Sequence, residues 1–334
     1  MAAIAAVPIL VAGLVVAIAN TDPGRRMVER AVAQASGGEV LLEGLAGRFP
    51  DRLHVARIEL RDREGTWAVA SDLALDWSPT RLLRLQAHVA HIELARLALH
   101  RPPLSDDEPA ADRKQPTWPP LRIDVDALRI AKLELAPSIA GVASEVHVRA
   151  AAHFVSASQF DLALDVERLD ATGKYEVKAS ADASQLTAHV DLGEPAGGLL
   201  AQLAGLPDLG ALAVKGSLDG PRNAQRLRLV MSAGSAQATA HGTLDLEGQA
   251  LDLRVAATAP AMRPSAGVAW QGARLEGYVK GPYASPDANV ELGIRGVEVG
   301  EAGFRDLEAK LTGTAGAMAL VASVEGLRVP GARP

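Results

Sequence analysis

The histidines are the side chains in this sequence best suited to bind a metal ion or to transfer protons, and their spacing argues against a shared metal site. His88 and His91 are the closest pair, but residues three apart on a strand point to opposite faces, so the two cannot share one metal ion without a bulge. No H-E-x-x-H motif is present. We therefore interpret the histidines as solvent-facing strand residues: His54, His88, His91, His100, His147, His153, His189 and His241.

Other motifs that carry chemistry are also missing from the sequence. There is no G-x-S-x-G, no phosphate-binding glycine loop with a lysine, and no G-x-G-x-x-G that opens a helix. The lack of cysteine excludes disulfides, thiol catalysis and cysteine-ligated zinc. Acidic pairs such as Asp124 with Asp126 follow strand alternation and are interpreted as solvent-facing. We predict a protein that is not an enzyme and uses no metal or cofactor; an exported hydrolase is the least favoured alternative.

The composition favours a thin layered structure over a thick core. Of 334 residues, 48% are hydrophobic but only 3% are aromatic, so aliphatic residues and alanine must fill the interior. The formal net charge is −6, and no segment is dense in lysine or arginine. This charge pattern argues against nucleic acid as a partner.

The clearest order of strands lies in residues 39–101. Residues 53–61 are rich in Val, Ile and Leu, and residues 67–77 alternate strictly in period two, which is typical of a strand with unlike faces. A third extended run covers residues 86–101. These three runs predict a first block of β-structure.

From residue 121 onward the sequence reads as successive strands with short turns, which predicts an antiparallel meander. Apolar pairs in residues 121–135 change phase, which indicates bulges that curl the strand. Residues 102–120 hold six prolines and are interpreted as a solvated loop. The predicted fold is mainly β: an N-terminal transmembrane helix, then an elongated, curved antiparallel β-sheet with a few short helices.

Three short helical segments are predicted among the strands. Residues 21–38 carry one apolar face, and this helix either lies on a membrane surface or plugs the end of the first sheet. A single turn begins at Pro79, and we expect its Leu82 and Leu83 to point inward. Leucines at helical spacing predict another helix at 197–207.

The first nineteen residues are apolar throughout. As a helix they would span about 28 Å, close to the roughly 30 Å core of a bilayer, so we predict a transmembrane signal anchor. A cleaved signal peptide and a buried helix are the alternatives. Basic residues follow this run but none precedes it, which indicates a true N terminus further upstream. The residues predicted to contact the bilayer are Ile4, Ile9, Leu10, Val11, Leu14, Val15, Val16 and Ile18.

The changes of pattern divide the chain into seven segments. They are a transmembrane signal anchor at 1–20, an amphipathic helix at 21–38, a first β block at 39–101, a proline-rich loop at 102–120, a second β block at 121–196, a short helix at 197–207 and a third β block at 208–334. We expect the third block to be truncated at its C-terminal end.

Two phrases in the first β block resemble the N-terminal portion of the TamB family, which are AsmA-like translocation and assembly module subunits. They are D-x-x-G-x-W at residues 62–67 and L-x-W-x-P-x-x-L-L at residues 75–83. Residues 267–270 and 275–277 are also similar to that family. Members are generally longer, so the resemblance is to an N-terminal portion.

The resemblance implies a β-taco, a long curved sheet with an apolar groove, in a single-pass protein of the bacterial inner membrane with its bulk in the periplasm. It implies phospholipid transport, assistance to the assembly and secretion of outer-membrane proteins such as autotransporters, and an Omp85-type outer-membrane barrel such as TamA as partner. A periplasmic β-sandwich scaffold without lipid cargo is the alternative. The residues predicted to line the groove are Phe160, Leu162, Leu164, Val166, Leu244, Leu246, Leu251 and Leu253.

Overall fold

The protein is mainly β with a few short helices. A computed structural model describes residues 18, 20–104, 122–156, 158–205, 209–265, 267–314 and 316–329. The chain divides into two compact units, Met1–Asp170 and Ala171–Pro334. The sequence-based boundaries between β blocks remain predictions.

The first unit contains seven strands, each hydrogen-bonded to the next along the chain. Sequential pairing follows from the short turns between most of the strands. The strands are β1 (Val40–Arg48), β2 (Arg52–Asp62), β3 (Gly65–Trp77), β4 (Gln86–Leu99), β5 (Arg122–Leu135), β6 (Ser144–Ser156) and β7 (Gln159–Arg168).

The pairing of β4 with β5 is parallel, so the prediction of a wholly antiparallel sheet was wrong at this place. Parallel neighbours need a connection of about a dozen or more residues, because the chain must return along the length of the strand. Residues 100–121 provide that connection and contain the proline-rich segment. Its residues 105–121 lie outside the described part of the chain.

Irregular backbone keeps the apolar residues of the first unit on one face. Gly44 on β1 has φ 69° and Asp72 on β3 has φ 52°, a left-handed conformation that resets the alternation of a strand. The bulges predicted from the phase changes of β5 are confirmed, because its register with β6 shifts between Val125 and Leu128 and again between Ile130 and Leu133.

The segment between β3 and β4 forms a 3-10 helix, Pro79–Arg84. Its Leu82 and Leu83 are exposed, so the prediction that they point inward was wrong. A 3-10 helix has three residues per turn, and successive side chains therefore spread around its axis instead of forming one buried stripe. Leu85 ends the segment in the left-handed conformation with φ 57°.

Helix α1 (Asp22–Ala35) covers the edge of β1 that is not paired with β2. Glu29 accepts a hydrogen bond from the backbone N–H of Leu45 at 2.8 Å, and Arg25 donates to the carbonyl of Gly47 at 2.9 Å. These side chains satisfy backbone groups at a strand edge. The helix therefore lies against the open edge of β1, and its predicted position on a membrane surface remains a prediction.

The second unit contains ten antiparallel strands, again paired in chain order. The short helix α2 (Pro137–Ala140) lies in the first unit, and the short helix α3 (Leu199–Leu203) lies in the second. The strands are β8 (Lys174–Ala181), β9 (Leu186–Glu194), β10 (Leu212–Asp219), β11 (Gln225–Ala233), β12 (Ala236–Asp245), β13 (Ala250–Ser265), β14 (Val268–Pro282), β15 (Asp287–Val299), β16 (Ala302–Thr314) and β17 (Ala317–Glu325).

The predicted membrane anchor falls almost wholly on residues 1–17 and 19, outside the described part of the chain. Of the residues predicted to contact the bilayer, Ile18 is the one that is described, and it is exposed. No helix among the described residues is both long and apolar enough to cross a bilayer.

Replacing Val146 by alanine should destabilise the first unit. Val146 is buried in a cluster with Ile130 and Val148, and removing its methyl groups leaves a cavity. We expect the free energy of unfolding, measured in urea, to fall by about 1–3 kcal/mol. The matched change Val230→Ala, at an exposed strand position, should cost less than about 0.5 kcal/mol. Equal losses in the two variants would contradict this location of the core.

The stabilising effect of Glu134 should depend on pH. Hydrogen bonds from Arg96 on β4 and, to a smaller extent, from Lys132 lower its pKa from 4.5 to about 2, while desolvation opposes them. Because the folded pKa is the lower one, the carboxylate stabilises the fold fully above about pH 4.5, and this is lost as the pH falls toward 2. The Glu134→Gln variant should lose up to about 1 kcal/mol of unfolding free energy near neutral pH. An equal loss near pH 2 would refute this explanation.

Candidate functional site

The first unit presents one apolar face. Residues directly opposite each other on paired strands point to the same side of a sheet. One such row crosses all seven strands without a polar residue, and it consists of Leu45, Val55, Leu73, Leu94, Ile130, Val148 and Val166.

Strand β7 carries four of the predicted groove residues on this face. Leu164 and Val166 pack against the buried cluster that contains Val148. Phe160 and Leu162 lie nearer the start of the strand, and Leu162 is exposed. The strict alternation of β7 therefore brings all four to one side, but with very different burial.

The second unit presents an apolar face of the same kind. One row of apolar residues crosses all ten strands, and the rows on either side of it also hold Leu, Val, Ala and Gly. No charged side chain therefore interrupts the middle of the face. The row that crosses all ten strands consists of Val177, Val190, Gly216, Leu229, Ala240, Val255, Gly277, Val290, Leu311 and Leu320.

This face is only partly covered. Among the described residues of the second unit, the fully buried hydrophobic ones are Tyr175, Ala181, Leu199 and Ala288. Most other side chains of the face are half-buried, whereas Met231 and those of β17 are exposed. A closed sandwich would bury most of these positions, as protein interiors are close-packed. The face is instead accessible to a ligand.

An apolar cavity of about 410 Å³ lies on this face. Its volume is within the usual range of small-molecule sites, about 300–1,000 Å³. Alanine forms much of its floor, so small side chains leave this space open. The residues of the apolar face that line it are Leu212, Met231, Ala233, Ala236, Ala238, Ala257, Ala259, Ala273, Leu275 and Leu292.

The other four predicted groove residues lie outside the cavity. Leu244 is opposite Leu251, and Leu253 is opposite Gly242, so these three share the apolar face. Leu246 is half-buried in the turn that follows β12. Large aliphatic residues do not mark the cavity in the sequence. Its sequence signal is alanine that recurs two residues apart on β12 and β13.

A buried carboxylate fixes the segment beside the cavity. Glu194, at the end of β9, accepts a hydrogen bond from the Tyr175 hydroxyl at 2.9 Å and from the backbone N–H groups of Leu200 and Ala201 at 2.8 Å each. These bonds hold the start of α3 against the sheet. The connection after α3 then brings Leu209 to the cavity wall.

The opposite face of each unit carries charged side chains that pair across strands. Such pairs tie neighbouring strands together and leave the apolar face free of charge. Representative pairs, with their N–O distances, are Arg96–Glu134 at 2.6 Å, Arg149–Asp165 at 2.6 Å and Lys310–Glu291 at 2.7 Å.

The histidines do not assemble into a site. His88 lies 3.7 Å from a carboxylate oxygen of Asp126, and His91 lies 3.3 Å from Glu93. Within the part of the chain that the structure describes, no three His, Asp or Glu side chains come together as metal ligands. Among the described residues, the arrangement offers an apolar surface for a ligand.

Comparison with known proteins gives one family. The family model described as "YdbH-like: Intermembrane phospholipid transport protein YdbH" matches residues 19–313. This family is related to AsmA-like and TamB-type proteins, whereas membership of TamB itself remains a prediction. No individual curated protein and no solved structure matches the chain significantly. Because the family model covers most of the sequence, the chain belongs to the YdbH-like family of intermembrane phospholipid transport proteins.

Proposed function

We propose that this protein binds phospholipid acyl chains on its apolar faces and conveys phospholipid between membranes across the periplasm. The observation that carries the proposal is the half-buried apolar face of the second unit, which crosses ten strands and contains the 410 Å³ cavity. Family membership supports the same reading.

The energetics of lipid transfer favour such a face. Exposing an acyl chain of about sixteen carbons to water costs on the order of 12 kcal/mol, at about 0.8 kcal/mol per methylene. A continuous apolar lining removes most of this barrier, since the chain exchanges one apolar contact for the next. A charged residue in the row would restore the barrier locally, and the rows given above contain none.

In this proposal the protein acts without covalent chemistry and is not an enzyme. Assistance to autotransporter assembly, an Omp85-type barrel such as TamA as partner, and a single-pass anchor in the inner membrane rest on the TamB resemblance and remain predictions. A lipid-free scaffold is the competing function. The half-buried state of the apolar face favours lipid binding over that scaffold.

Placing a charge on the cavity floor should expel lipid. Ala238 lies on the cavity side of β12, so the Ala238→Asp variant would set a carboxylate against an acyl chain, which is unfavourable because the charge loses its hydration. We expect phospholipid that copurifies with the full chain to fall several-fold. Mass spectrometry of solvent-extracted lipid measures it.

The matched control uses the neighbouring residue. Thr239 is exposed on the opposite face of the same strand, so Thr239→Asp adds the same charge without touching the cavity. This variant should retain the lipid of the unaltered protein. Stoichiometric lipid in the Ala238→Asp variant, or no lipid in the unaltered protein, would overturn lipid binding on this face and leave the scaffold as the better explanation.

Filling the cavity without adding charge should also lower lipid binding. Ala257→Phe places a large apolar side chain where the floor is now shallow, so it competes with the acyl chain for volume. We expect less bound lipid, with the unfolding free energy changed by less than about 1 kcal/mol. Ala256→Phe, on the opposite face of β13, is the control. If both variants bound lipid equally well, the cavity would not be where the acyl chain lies.

A further inference from the structure

A short turn in the first unit exposes three large apolar side chains in sequence order. Leu82, Leu83 and Leu85 are 40%, 89% and 45% exposed. Arg81 directly precedes Leu82, Arg84 lies between Leu83 and Leu85, and both arginines are also exposed. Single exposed leucines are common on protein surfaces, but three within four residues form a patch that needs a partner.

Hydrogen bonds hold this patch outward. The N–H of Ser78 donates to the carbonyl of His88 at 2.9 Å, and the N–H of Leu85 donates to the carbonyl of Leu82 at 2.9 Å. The 3-10 turn between these bonds leaves the leucines exposed. The fold itself therefore presents Leu82 and Leu83 to the surroundings.

The patch lies at the end of the sheet that Asn20 contacts. Asn20 pairs with both backbone groups of Phe49 at 2.9 Å, which fixes the start of the described chain to the β1–β2 turn. The indole N–H of Trp77 donates to the carbonyl of Pro50 in that turn at 2.6 Å. Trp77 immediately precedes the segment with the exposed leucines, so both elements sit at one sheet end.

Further apolar side chains line the same end. The N–H of Arg122 donates to the carbonyl of Leu85 at 2.9 Å, which places the start of β5 beside the turn. Its neighbour Ile123 is opposite Phe154 on β6, and both are exposed to about the same degree. Ile123 and Phe154 therefore add exposed apolar side chains at the sheet end where the turn lies.

The charge of the turn, residues 78–86, favours an anionic partner. Residues 78–86 include two arginines and no acidic residue, although the whole chain has a net charge of −6. Apolar side chains flanked by arginine fit the boundary of a bilayer, where the leucines enter the acyl region and the guanidinium groups meet lipid phosphates. A protein partner would not require this pairing of leucine with positive charge.

We propose that the rim formed by Arg81, Leu82, Leu83, Arg84 and Leu85 docks the first unit on an anionic phospholipid surface. Asn20, the last residue of the predicted anchor segment, is held at this same end of the sheet, so a bilayer that accepted the anchor would meet the rim. This inference goes beyond lipid carriage, because a rim can rest on a membrane whether or not the apolar faces hold lipid.

The test uses the absence of cysteine from the sequence. In the Leu83→Cys variant of the full chain, a single environment-sensitive fluorophore reports contact with the bilayer after reconstitution into vesicles. Vesicles of phosphatidylglycerol with phosphatidylethanolamine are compared with vesicles of phosphatidylcholine. The expected result is a blue-shifted emission and quenching by lipid-borne quenchers on the anionic vesicles, and neither effect for a label at Val230→Cys, which is exposed on β11.

Charge removal then tests the role of the arginines. In Leu83→Cys protein, the changes Arg81→Gln and Arg84→Gln should each lower the membrane-inserted fraction of the label about fivefold. The inference is overturned if the label stays in water on both kinds of vesicle, or if it inserts equally into anionic and zwitterionic bilayers. It is also overturned if the signal rises with the number of protein copies per vesicle, since the label would then report contact between protein molecules. Lipid that still copurifies in these variants would leave the proposed function unaffected.

Discussion

Each strand must keep its apolar side chains on the same face as those of its neighbours, and the rest of the structure depends on this register. A slip of one residue would turn a strand's apolar set to the polar side. In the second unit nine consecutive pairings keep Val, Leu, Ala and Gly in one row. In the first unit the left-handed residues Gly44 and Asp72, together with the bulges of β5, restore the phase where plain alternation would lose it.

An apolar face that stays open stabilises the fold less than a closed core would. Buried apolar area contributes about 25 cal/mol per Å² to stability, and an open face buries less of it. The face is left half-covered, so other contacts must hold the strands together. The backbone ladders, ion pairs such as Arg149–Asp165 on the polar side, and the sealing of β1 by Glu29 and Arg25 supply them.

The sequence predicted the strands well because alternation is a local signal. The alternating β7 and the phase changes of β5 carried over directly to the structure. The parallel pair β4–β5 was missed, since pairing direction depends on where a long connection leads. Leu82 and Leu83 were predicted to point inward because they are hydrophobic. Hydrophobicity alone does not show whether a 3-10 turn packs its side chains against another element. The alanine floor, including Ala238 and Ala257, was not predicted, because a cavity forms where side chains are small and the prediction relied on large ones.

The path that a lipid would follow runs across the strands, and its length is therefore set by strand number. Neighbouring strands lie about 4.8 Å apart, so a row across ten strands covers about 43 Å along the sheet. Gly216 and Gly277 occupy the same row four strands apart, and each is followed by a Gly-Pro pair, at Gly220 and Gly281. This recurrence indicates that the face is extended by repeating one local pattern. Each added strand brings its own apolar and polar side, so such a sheet lengthens the path without a new core.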